Sequence, residues 1–223
     1  MRFFYILPNR FFGIIDEPVL LVVKEDGVLT SNMNNKLALI KILAEKSLKV
    51  SKESEFLLAS GRKSNFYVDC KMTTLFSRGL PLIGEIFFER IASLNIKGIG
   101  GLTLGADPIA TATAMVAGQR GIDLVSFVIR KESKKYGLMK WIEGGMAPGD
   151  RVVIIDDVIT TGGSTIKAID KSEEAGLEIV KVIVLVDREE GGRENIEKKG
   201  YEVEAIFTKS ELEMFPKRKI VRM

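Results

Sequence analysis

The sequence predicts an α/β protein with a central, mainly parallel sheet flanked by helices. Short runs of continuous apolar residues, typical of strands buried on both faces, alternate along the chain with longer stretches of helical spacing. The clearest run, at residues 152–155, leads directly into a glycine-containing turn and a helical pattern. At 223 residues the chain can bury one substantial core. We therefore expect a single domain at residues 34–223, preceded by an N-terminal extension at residues 1–33.

Helices are expected where apolar residues recur every three or four positions after a capping residue. These stretches are residues 34–48, 79–94, 107 onwards and 164–175. Asn34 or Asn35 is expected to cap the first helix. The third should begin with Asp107 as N-cap and Pro108 as its first helical residue. Gly176 should end the last helix.

Strands are expected in short runs rich in β-branched and aromatic residues. These runs are residues 55–58, 65–69, 97–102, 124–129, 151–155, 179–186 and 201–207. The first two should flank a turn at residues 60–64. The later strands alternate with the helices, as a parallel sheet requires.

The composition excludes several kinds of catalytic chemistry. The chain contains no histidine, which removes the commonest general base, imidazole metal ligands and the usual serine–histidine or cysteine–histidine nucleophiles. Its single cysteine, Cys70, cannot form an internal disulfide and argues against a cysteine-based metal site. Any reaction must therefore rely on carboxylates, amines, hydroxyls and bound cations.

Charge and hydropathy indicate neither a nucleic acid nor a membrane as partner. The net charge is only +3, and there is no long basic run. Two apolar runs near the N-terminus, residues 3–7 and 18–23, are interrupted by Pro8, Arg10, Asp16 and Glu17, so we expect neither a membrane span nor an uninterrupted signal h-region. We expect a cytoplasmic protein, whose leading residues add a strand or hairpin or precede a natural start at Met33.

The most informative segment runs from residue 152 to residue 165, with the sequence Val-Val-Ile-Ile-Asp-Asp-Val-Ile-Thr-Thr-Gly-Gly-Ser-Thr. In open α/β sheets ligands bind just beyond the carboxyl ends of strands. The turn at residues 160–165 offers backbone N–H groups and hydroxyls to a phosphate at a helix N-terminus. The carboxylates of Asp156 and Asp157 would repel phosphate and suit sugar hydroxyls. The segment thus predicts a sugar-phosphate site. A P-loop is excluded because no lysine precedes the hydroxyl residue. An ordinary buried strand with a solvated turn would not explain adjacent acids.

This segment resembles the one with which type I phosphoribosyltransferases hold 5-phosphoribosyl 1-diphosphate. The resemblance implies that Asp156 and Asp157 bind the ribose hydroxyls and act in catalysis. It implies that the phosphate is bound by the residues that follow, namely Val158, Ile159, Thr160, Thr161, Gly162, Gly163 and Ser164. It also implies the type I phosphoribosyltransferase fold, with a small hood over the site formed largely by the N-terminal segment.

A second motif, at residues 130–137, concentrates four cations within six positions. Such cations repel each other unless an anion is bound, so a diphosphate would suit them, although a solvated basic loop is the simpler alternative. The motif resembles the catalytic loop of orotate phosphoribosyltransferases. That likeness implies that Arg130, Lys131 and Lys134 meet the diphosphate, with Lys134 as the main catalytic cation. Tyr136, where many members have histidine, can donate a hydrogen bond but stays neutral near pH 7.

Two further motifs face the base in that family. The segment Ser-Gly-Arg-Lys-Ser at residues 60–64 resembles its N-terminal motif, which implies that Phe66 and Tyr67 line the orotate pocket. Ala59 stands where some members carry a substrate-binding lysine. Arg188 resembles the arginine that pairs with the orotate carboxylate, a group that its fixed fork fits well. Without the resemblance, an exposed hairpin and a surface salt bridge would explain these residues equally well.

Together these motifs imply an orotate phosphoribosyltransferase of de novo pyrimidine biosynthesis. Such an enzyme transfers the phosphoribosyl group of 5-phosphoribosyl 1-diphosphate to orotate, giving orotidine 5′-monophosphate and diphosphate. The resemblance implies Mg²⁺ carried by the diphosphate, with no metal ligand from the protein, and a homodimer that shares its catalytic loop across subunits. A purine-type phosphoribosyltransferase and a non-catalytic sensor of the sugar diphosphate are the alternatives. The sensor would normally add a DNA-binding domain or a large basic face, and neither is visible.

Overall fold

The computed structural model describes residues 31–50, 56–57, 63–64, 66–132 and 141–215. The strands are β1 (Leu48–Val50), β2 (Phe56–Leu57), β3 (Lys63–Ser64), β4 (Phe66–Val68), β5 (Gly98–Leu102), β6 (Val125–Ile129), β7 (Ile142–Glu143), β8 (Arg151–Ile159), β9 (Glu178–Asp187) and β10 (Val203–Thr208). The α-helices are α1 (Ser31–Ile42), α2 (Lys71–Thr74), α3 (Gly79–Ile91), α4 (Ala106–Gln119), α5 (Gly163–Glu174), α6 (Gly192–Glu197) and α7 (Lys209–Met214). A π-helical segment, Leu43–Ser47, continues α1.

The central sheet has six strands in the order β10-β9-β8-β5-β6-β7. All its pairings are parallel except that of β7, which runs antiparallel to β6 at the edge. The predicted mainly parallel sheet is therefore confirmed. Helix α4 lies between β5 and β6, α5 between β8 and β9, and α6 between β9 and β10, as crossover connections between parallel strands require.

Hydrophobic clusters cover both faces of the sheet. Val153 and Ile155 of β8 belong to a cluster built with α1, α3, α4 and α7, while Val152 and Ile154 belong to a second cluster built with α5 and α6. This division follows from the period of two along a strand, which sends successive side chains to opposite faces. The continuous apolar run recognised in the sequence thus fills both layers. Within the described ranges, no helix is long and apolar enough to cross a membrane.

The N-terminal region forms two small antiparallel pairs outside the central sheet. β1 pairs with β4, and β2 pairs with β3. The two strands expected at residues 55–58 and 65–69 exist as β2 and β4, but they do not pair around a turn at residues 60–64. Part of that expected turn is β3 instead, because the chain finds a partner for each strand elsewhere. Residues 58–62 and 1–30 lie outside the described residues, so the role of the extension stays a prediction.

Two predicted helix starts are wrong. α1 begins at Ser31, so Asn34 and Asn35 lie inside the helix and do not cap it. Single-residue preferences are weak compared with the packing of the helix on the core. α4 has Gly105 at its N-cap position, with no side-chain cap, and Asp107 lies in its first turn. The Asp107 carboxylate accepts a hydrogen bond of 2.6 Å from the Thr103 hydroxyl, a partner that the local pattern did not reveal.

Strand β8 is longer than the predicted 151–155. It continues to Ile159 because β9 accompanies it throughout, pairing Asp156 with Val184 and Ile159 with Asp187. The acid pair therefore lies within the strand and not just after it. The helix predicted at residues 164–175 and the strand predicted at residues 179–186 agree with α5 and β9 to within one residue at each end, and Gly176 adopts a φ of +75° after α5.

Candidate active site

The two adjacent acids of β8 are almost completely buried. Asp156 is 5% exposed and Asp157 is 6% exposed. The Thr165 hydroxyl, from the first turn of α5, donates a hydrogen bond of 2.8 Å to Asp156 Oδ2, and the Asp157 backbone N–H donates one of 3.0 Å to Asp156 Oδ1. Asp157 Oδ2 is buried and has no hydrogen-bond partner among the residues that the structure describes. A buried carboxylate oxygen in this state can accept a donor from a ligand.

Both carboxyl groups have raised pKa values. Burial, followed by repulsion from Asp157, raises the pKa of Asp156 to about 7, and the hydrogen bond from Thr165 partly opposes this. Burial also raises the pKa of Asp157, and the nearby charge of Lys71 opposes that increase. Two adjacent acids with so little compensating charge favour a ligand that brings hydroxyl donors or positive charge.

The loop between β5 and α4 packs directly against these acids. A Cβ on Gly105 would clash with Oδ1 of Asp157, and a Cβ on Gly101 would clash with the carbonyl oxygen of Ile155. Only glycine therefore allows this loop to approach the acid pair. The peptide bond between Thr103 and Leu104 is cis. The sequence indicated a strand-to-helix loop here, but it did not reveal how closely that loop contacts Asp157.

The turn after β8 leads into the N-terminus of α5. Gly162 has a φ of +81°, a conformation that favours glycine, and α5 begins at Gly163 with no side-chain cap. Its first N–H groups therefore remain available for an anion, which a helix N-terminus attracts. Thr161 and Ser164 are exposed on this turn, Thr160 is half-buried, and Gly163 is exposed.

Helix α6 supports the back of this turn. Gly192 packs so closely that a Cβ would lie 2.8 Å from the carbonyl oxygen of Thr160, and Asn195 Nδ2 donates a hydrogen bond of 3.0 Å to the carbonyl oxygen of Thr161. Ile159 is 1% exposed and packs in the core, while Val158 is half-buried. Among the residues predicted to bind phosphate, Ile159 thus offers its backbone and not its side chain.

Two of the residues predicted to face the base, Phe66 and Arg188, meet at the end of β9. Arg188 is 4% exposed, and its Nη2 donates a hydrogen bond of 3.1 Å to the carbonyl oxygen of Phe66 and pairs with Glu190 Oε1 at 2.8 Å. The guanidinium also lies 5.6 Å from the centre of the Phe66 ring. Phe66 is fully buried and Tyr67 is half-buried. The fold thus joins two predicted site residues that are 122 positions apart in the sequence.

The predicted cations belong to residues 130–141, here called the basic segment, which follow β6 and lead to β7; the structure describes residues 130–132 and 141 of it. The Arg130 backbone N–H donates a hydrogen bond of 2.8 Å to the carbonyl oxygen of Trp141, and the Arg130 side chain pairs with Glu143 at 3.2 Å. Lys131 is exposed. Lys134 and Tyr136 lie outside the described residues, so their predicted roles stay predictions.

Sequence reasoning missed Lys71. Its Nζ pairs with Asp69 Oδ1 at 2.9 Å, and this bond raises the pKa of Lys71, with a smaller contribution from the charge of Asp157. Lys71 is thus a cation near the acid pair, contributed by the segment after β4. The Asp-x-Lys spacing after an expected strand is the signal that could have indicated it. The described residues contain no group of three or more histidine, cysteine, aspartate or glutamate residues that could hold a metal ion.

A mainly parallel sheet with a buried acid pair beside an uncapped helix N-terminus is the arrangement expected of a phosphoribosyltransferase. Residues 99–211, about half of the chain, match the model of the phosphoribosyl transferase domain. The chain is 47% identical over 174 residues to an orotate phosphoribosyltransferase of Aquifex aeolicus (strain VF5), a match that covers 78% of this chain and 95% of that protein.

Solved structures agree with this class. Orotate phosphoribosyltransferase of Mycobacterium tuberculosis H37Rv, in complex with Fe(III) dicitrate, is 34% identical with a TM-score of 0.70, over 80% of this chain and 98% of that one. The same enzyme in complex with 5-phospho-alpha-D-ribosyl 1-diphosphate is 33% identical with a TM-score of 0.66, over 81% and 99% of the two chains. The chain belongs to the orotate phosphoribosyltransferase family, whose members are enzymes of pyrimidine biosynthesis.

Proposed function

We propose that this chain transfers the phosphoribosyl group of 5-phosphoribosyl 1-diphosphate to orotate, giving orotidine 5′-monophosphate and diphosphate. One observation carries the proposal. The buried pair Asp156–Asp157, with an oxygen that lacks a partner among the described residues, adjoins the uncapped N-terminus of α5 at Gly163. A group that binds sugar hydroxyls thus lies beside a group that binds phosphate. The complex of the related M. tuberculosis enzyme with the sugar diphosphate supports this donor.

The turn after β8 would hold the 5′-phosphate. The backbone N–H groups of Gly162, Gly163 and Ser164 and the hydroxyls of Thr160 and Thr161 suit its oxygens, and the dipole of α5 favours its charge. Val158 and Ile159 lead the backbone into this turn. Because the turn is braced by α6, the bound phosphate would fix the ribose in orientation before reaction.

Asp156 and Asp157 would hold the ribose hydroxyls. As the bond to diphosphate breaks, positive charge develops on the sugar, and a carboxylate beside it stabilises that charge. The same positive charge would lower the raised pKa values of the pair, so the acids become better stabilisers as the reaction proceeds. In this role they are electrostatic groups and not proton carriers.

Arg130, Lys131 and Lys134 would neutralise the leaving diphosphate, with Lys134 as the main catalytic cation and Tyr136 as a hydrogen-bond donor. Arg130 would first have to exchange its exposed partner Glu143 for the diphosphate, an exchange that costs little because exposed ion pairs are weak. We propose that the basic segment acts across a homodimer. Mixing the Lys134→Ala protein with a separate Asp156→Asn/Asp157→Asn protein should then restore some activity, because one site of a mixed dimer has both an intact loop and an intact acid pair. No recovery in verified mixed dimers would argue for action within one subunit.

Mg²⁺ fits this site as a companion of the diphosphate. The described residues offer no cluster of three ligands, but the buried carboxylates of Asp156 and Asp157 would favour a cation nearby. Mg²⁺ is commonly held by one or two carboxylates together with substrate phosphates. It would supply neutralisation of the diphosphate charge.

Arg188 would bind the orotate carboxylate, with Phe66 beneath its guanidinium and Tyr67 at the edge of the base pocket. Its planar fork suits a carboxylate, and its burial strengthens the interaction. Orotate is already an anion, so the reaction needs no protein base, consistent with a chain that lacks histidine. We further propose a single domain at residues 34–223 and a cytoplasmic location.

A base-specificity assay tests the proposal. The protein is incubated with 5-phosphoribosyl 1-diphosphate, Mg²⁺ and one of orotate, uracil, hypoxanthine or adenine, and nucleotide formation is measured. We expect nucleotide to form only in the incubation that contains orotate. Product with hypoxanthine or adenine would support the purine-type alternative. Binding of the sugar diphosphate without turnover of any base would support a sensor.

A further inference from the structure

The only tryptophan of the chain, Trp141, packs against one face of α5. Lys167 and Lys171, one turn apart on that helix, place their ammonium groups 5.6 and 4.4 Å from the centre of its ring. Residues four positions apart on a helix lie on the same face, which explains why both reach one ring. The ring also packs against the cluster that contains Val152 and Ile154. Trp141 thus fixes the point where the chain returns to the sheet after the basic segment.

Lys167 holds the outgoing end of the same segment. Its Nζ donates a hydrogen bond of 2.8 Å to the carbonyl oxygen of Lys131. One residue earlier, the Arg130 backbone N–H bonds to the carbonyl oxygen of Trp141. Both ends of the basic segment are therefore joined to each other and to α5. Lys171 shares the aromatic contact but bonds to Glu174 and not to Lys131.

The helix that makes these contacts is the one that begins at the proposed phosphate turn. Gly163 is its first residue, and Lys167 follows one turn later. A helix rises about 1.5 Å per residue, so the two positions are held about 6 Å apart along the axis. A single hydrogen bond from Lys167 thus links this rigid spacer to the peptide of Lys131.

We propose that Lys167 is a positioning residue for the transfer reaction. Its hydrogen bond fixes the Lys131 peptide relative to the turn that binds the 5′-phosphate, so the Lys131 side chain starts from a set distance to the diphosphate. Phosphate and diphosphate belong to one substrate molecule, and a fixed span between their binding groups favours the reactive orientation. The inference rests on the proposed function, in which Lys131 contacts the diphosphate.

Lys167→Met tests this role, with Lys171→Met as the matched control. Both variants remove an ammonium from the same ring and keep an unbranched side chain, but only the first breaks the bond to Lys131. We expect Lys167→Met to lower kcat/KM for 5-phosphoribosyl 1-diphosphate roughly three- to tenfold, the net size of one ordinary hydrogen bond, because this bond is exposed to solvent. KM for orotate should stay unchanged, and Lys171→Met should stay within about twofold of the unaltered protein. Lys167→Arg, which keeps a donor, should recover most of the loss.

A double-mutant cycle separates positioning from a merely structural role. If Lys167 acts through Lys131, Lys167→Met should cause a clearly smaller loss in a Lys131→Ala background than in the unaltered protein. Equal losses in both backgrounds, or equal activities of Lys167→Met and Lys171→Met, would overturn the inference while the reaction itself stands. An unaltered protein that forms no orotidine 5′-monophosphate would instead contradict the proposed function, and the inference with it.

Discussion

The buried acid Asp156 is expected to make the folded protein less stable as the pH rises. Its pKa is raised from 3.8 to about 7, so between these values the folded chain binds a proton that the unfolded chain has released. Stability falls with pH wherever the folded state binds more protons. The contribution is thus favourable in acid and is lost as the pH rises through the interval from about 4 to about 7. Asp156→Asn removes this dependence, because its amide is neutral at every pH.

The size of the effect follows from the pKa. About two pH units separate pH 5 from a pKa of about 7. Over each pH unit in which the folded chain holds one more proton than the unfolded chain, the free energy of unfolding falls by about 1.4 kcal/mol. Relative to the unaltered protein, Asp156→Asn should therefore gain about 2 to 3 kcal/mol between pH 5 and pH 8. The carboxamide oxygen can accept from the Asp157 backbone N–H while its NH2 group donates to the Thr165 hydroxyl, so neither buried group loses its partner.

Urea unfolding followed by circular dichroism at pH 5 and pH 8 measures this difference. Asp123→Asn, at an exposed position, is the matched control and should show no pH-dependent gain. Asp156→Asn should also lose most of its activity at pH 8, as expected when a residue is retained for function at a cost in stability. If the free energy of unfolding of Asp156→Asn differs from that of the unaltered protein by the same amount at pH 5 and at pH 8, the reasoning is refuted.

Three further predictions concern the proposed site. Lys134→Ala should reduce kcat by at least about a hundredfold while changing binding of 5-phosphoribosyl 1-diphosphate much less, since the charge is needed mainly as diphosphate leaves; steady-state kinetics and calorimetry measure the two effects, and an unchanged kcat would exclude the role. Gly105→Ala should lower both activity and Tm, because its methyl group would displace the Asp157 carboxylate, whereas Gly118→Ala, with open space around its Cβ, should leave activity unchanged; equal behaviour of the two would contradict the packing argument. Arg188→Gln should raise KM for orotate at least about tenfold and leave KM for the sugar diphosphate within about twofold, as kinetics with each substrate varied will show; equal increases in both would argue against a base-side role.

The fold was largely predictable where burial produces a repeating pattern. The apolar runs of β8 and β9 predicted a parallel sheet, and the spacing of apolar residues predicted α3 and α5 within a few positions. The small N-terminal strands were harder, because β1 and β3 are only three and two residues long and find their partners across the chain. Such short pairings depend on tertiary contacts and leave little trace in local composition.

Some residues of the candidate site could likewise be predicted from the sequence, and others could not. The pair Asp156–Asp157 and the turn at Gly162 could be predicted because neighbours in the sequence remain neighbours in the site. The Asp-x-Lys spacing could have indicated Lys71 as a candidate, but not its proximity to Asp157, which depends on how the fold brings the segment after β4 towards β8. The same holds for Gly105, whose close approach to Asp157 is a property of the packed loop and not of its sequence.

The sequence by itself determined the chemical groups available to this protein. Without histidine, it had to rely on an acid pair, a glycine-containing turn and a cluster of cations, and their order along the chain indicated the family. Only the tertiary structure decided that the acids lie buried within β8, that Arg188 rests on Phe66, and that Lys167 holds the Lys131 peptide. The physical reason is that burial and hydrogen bonding depend on distances between segments far apart in sequence, and these distances exist only once the sheet and its two helical layers have packed.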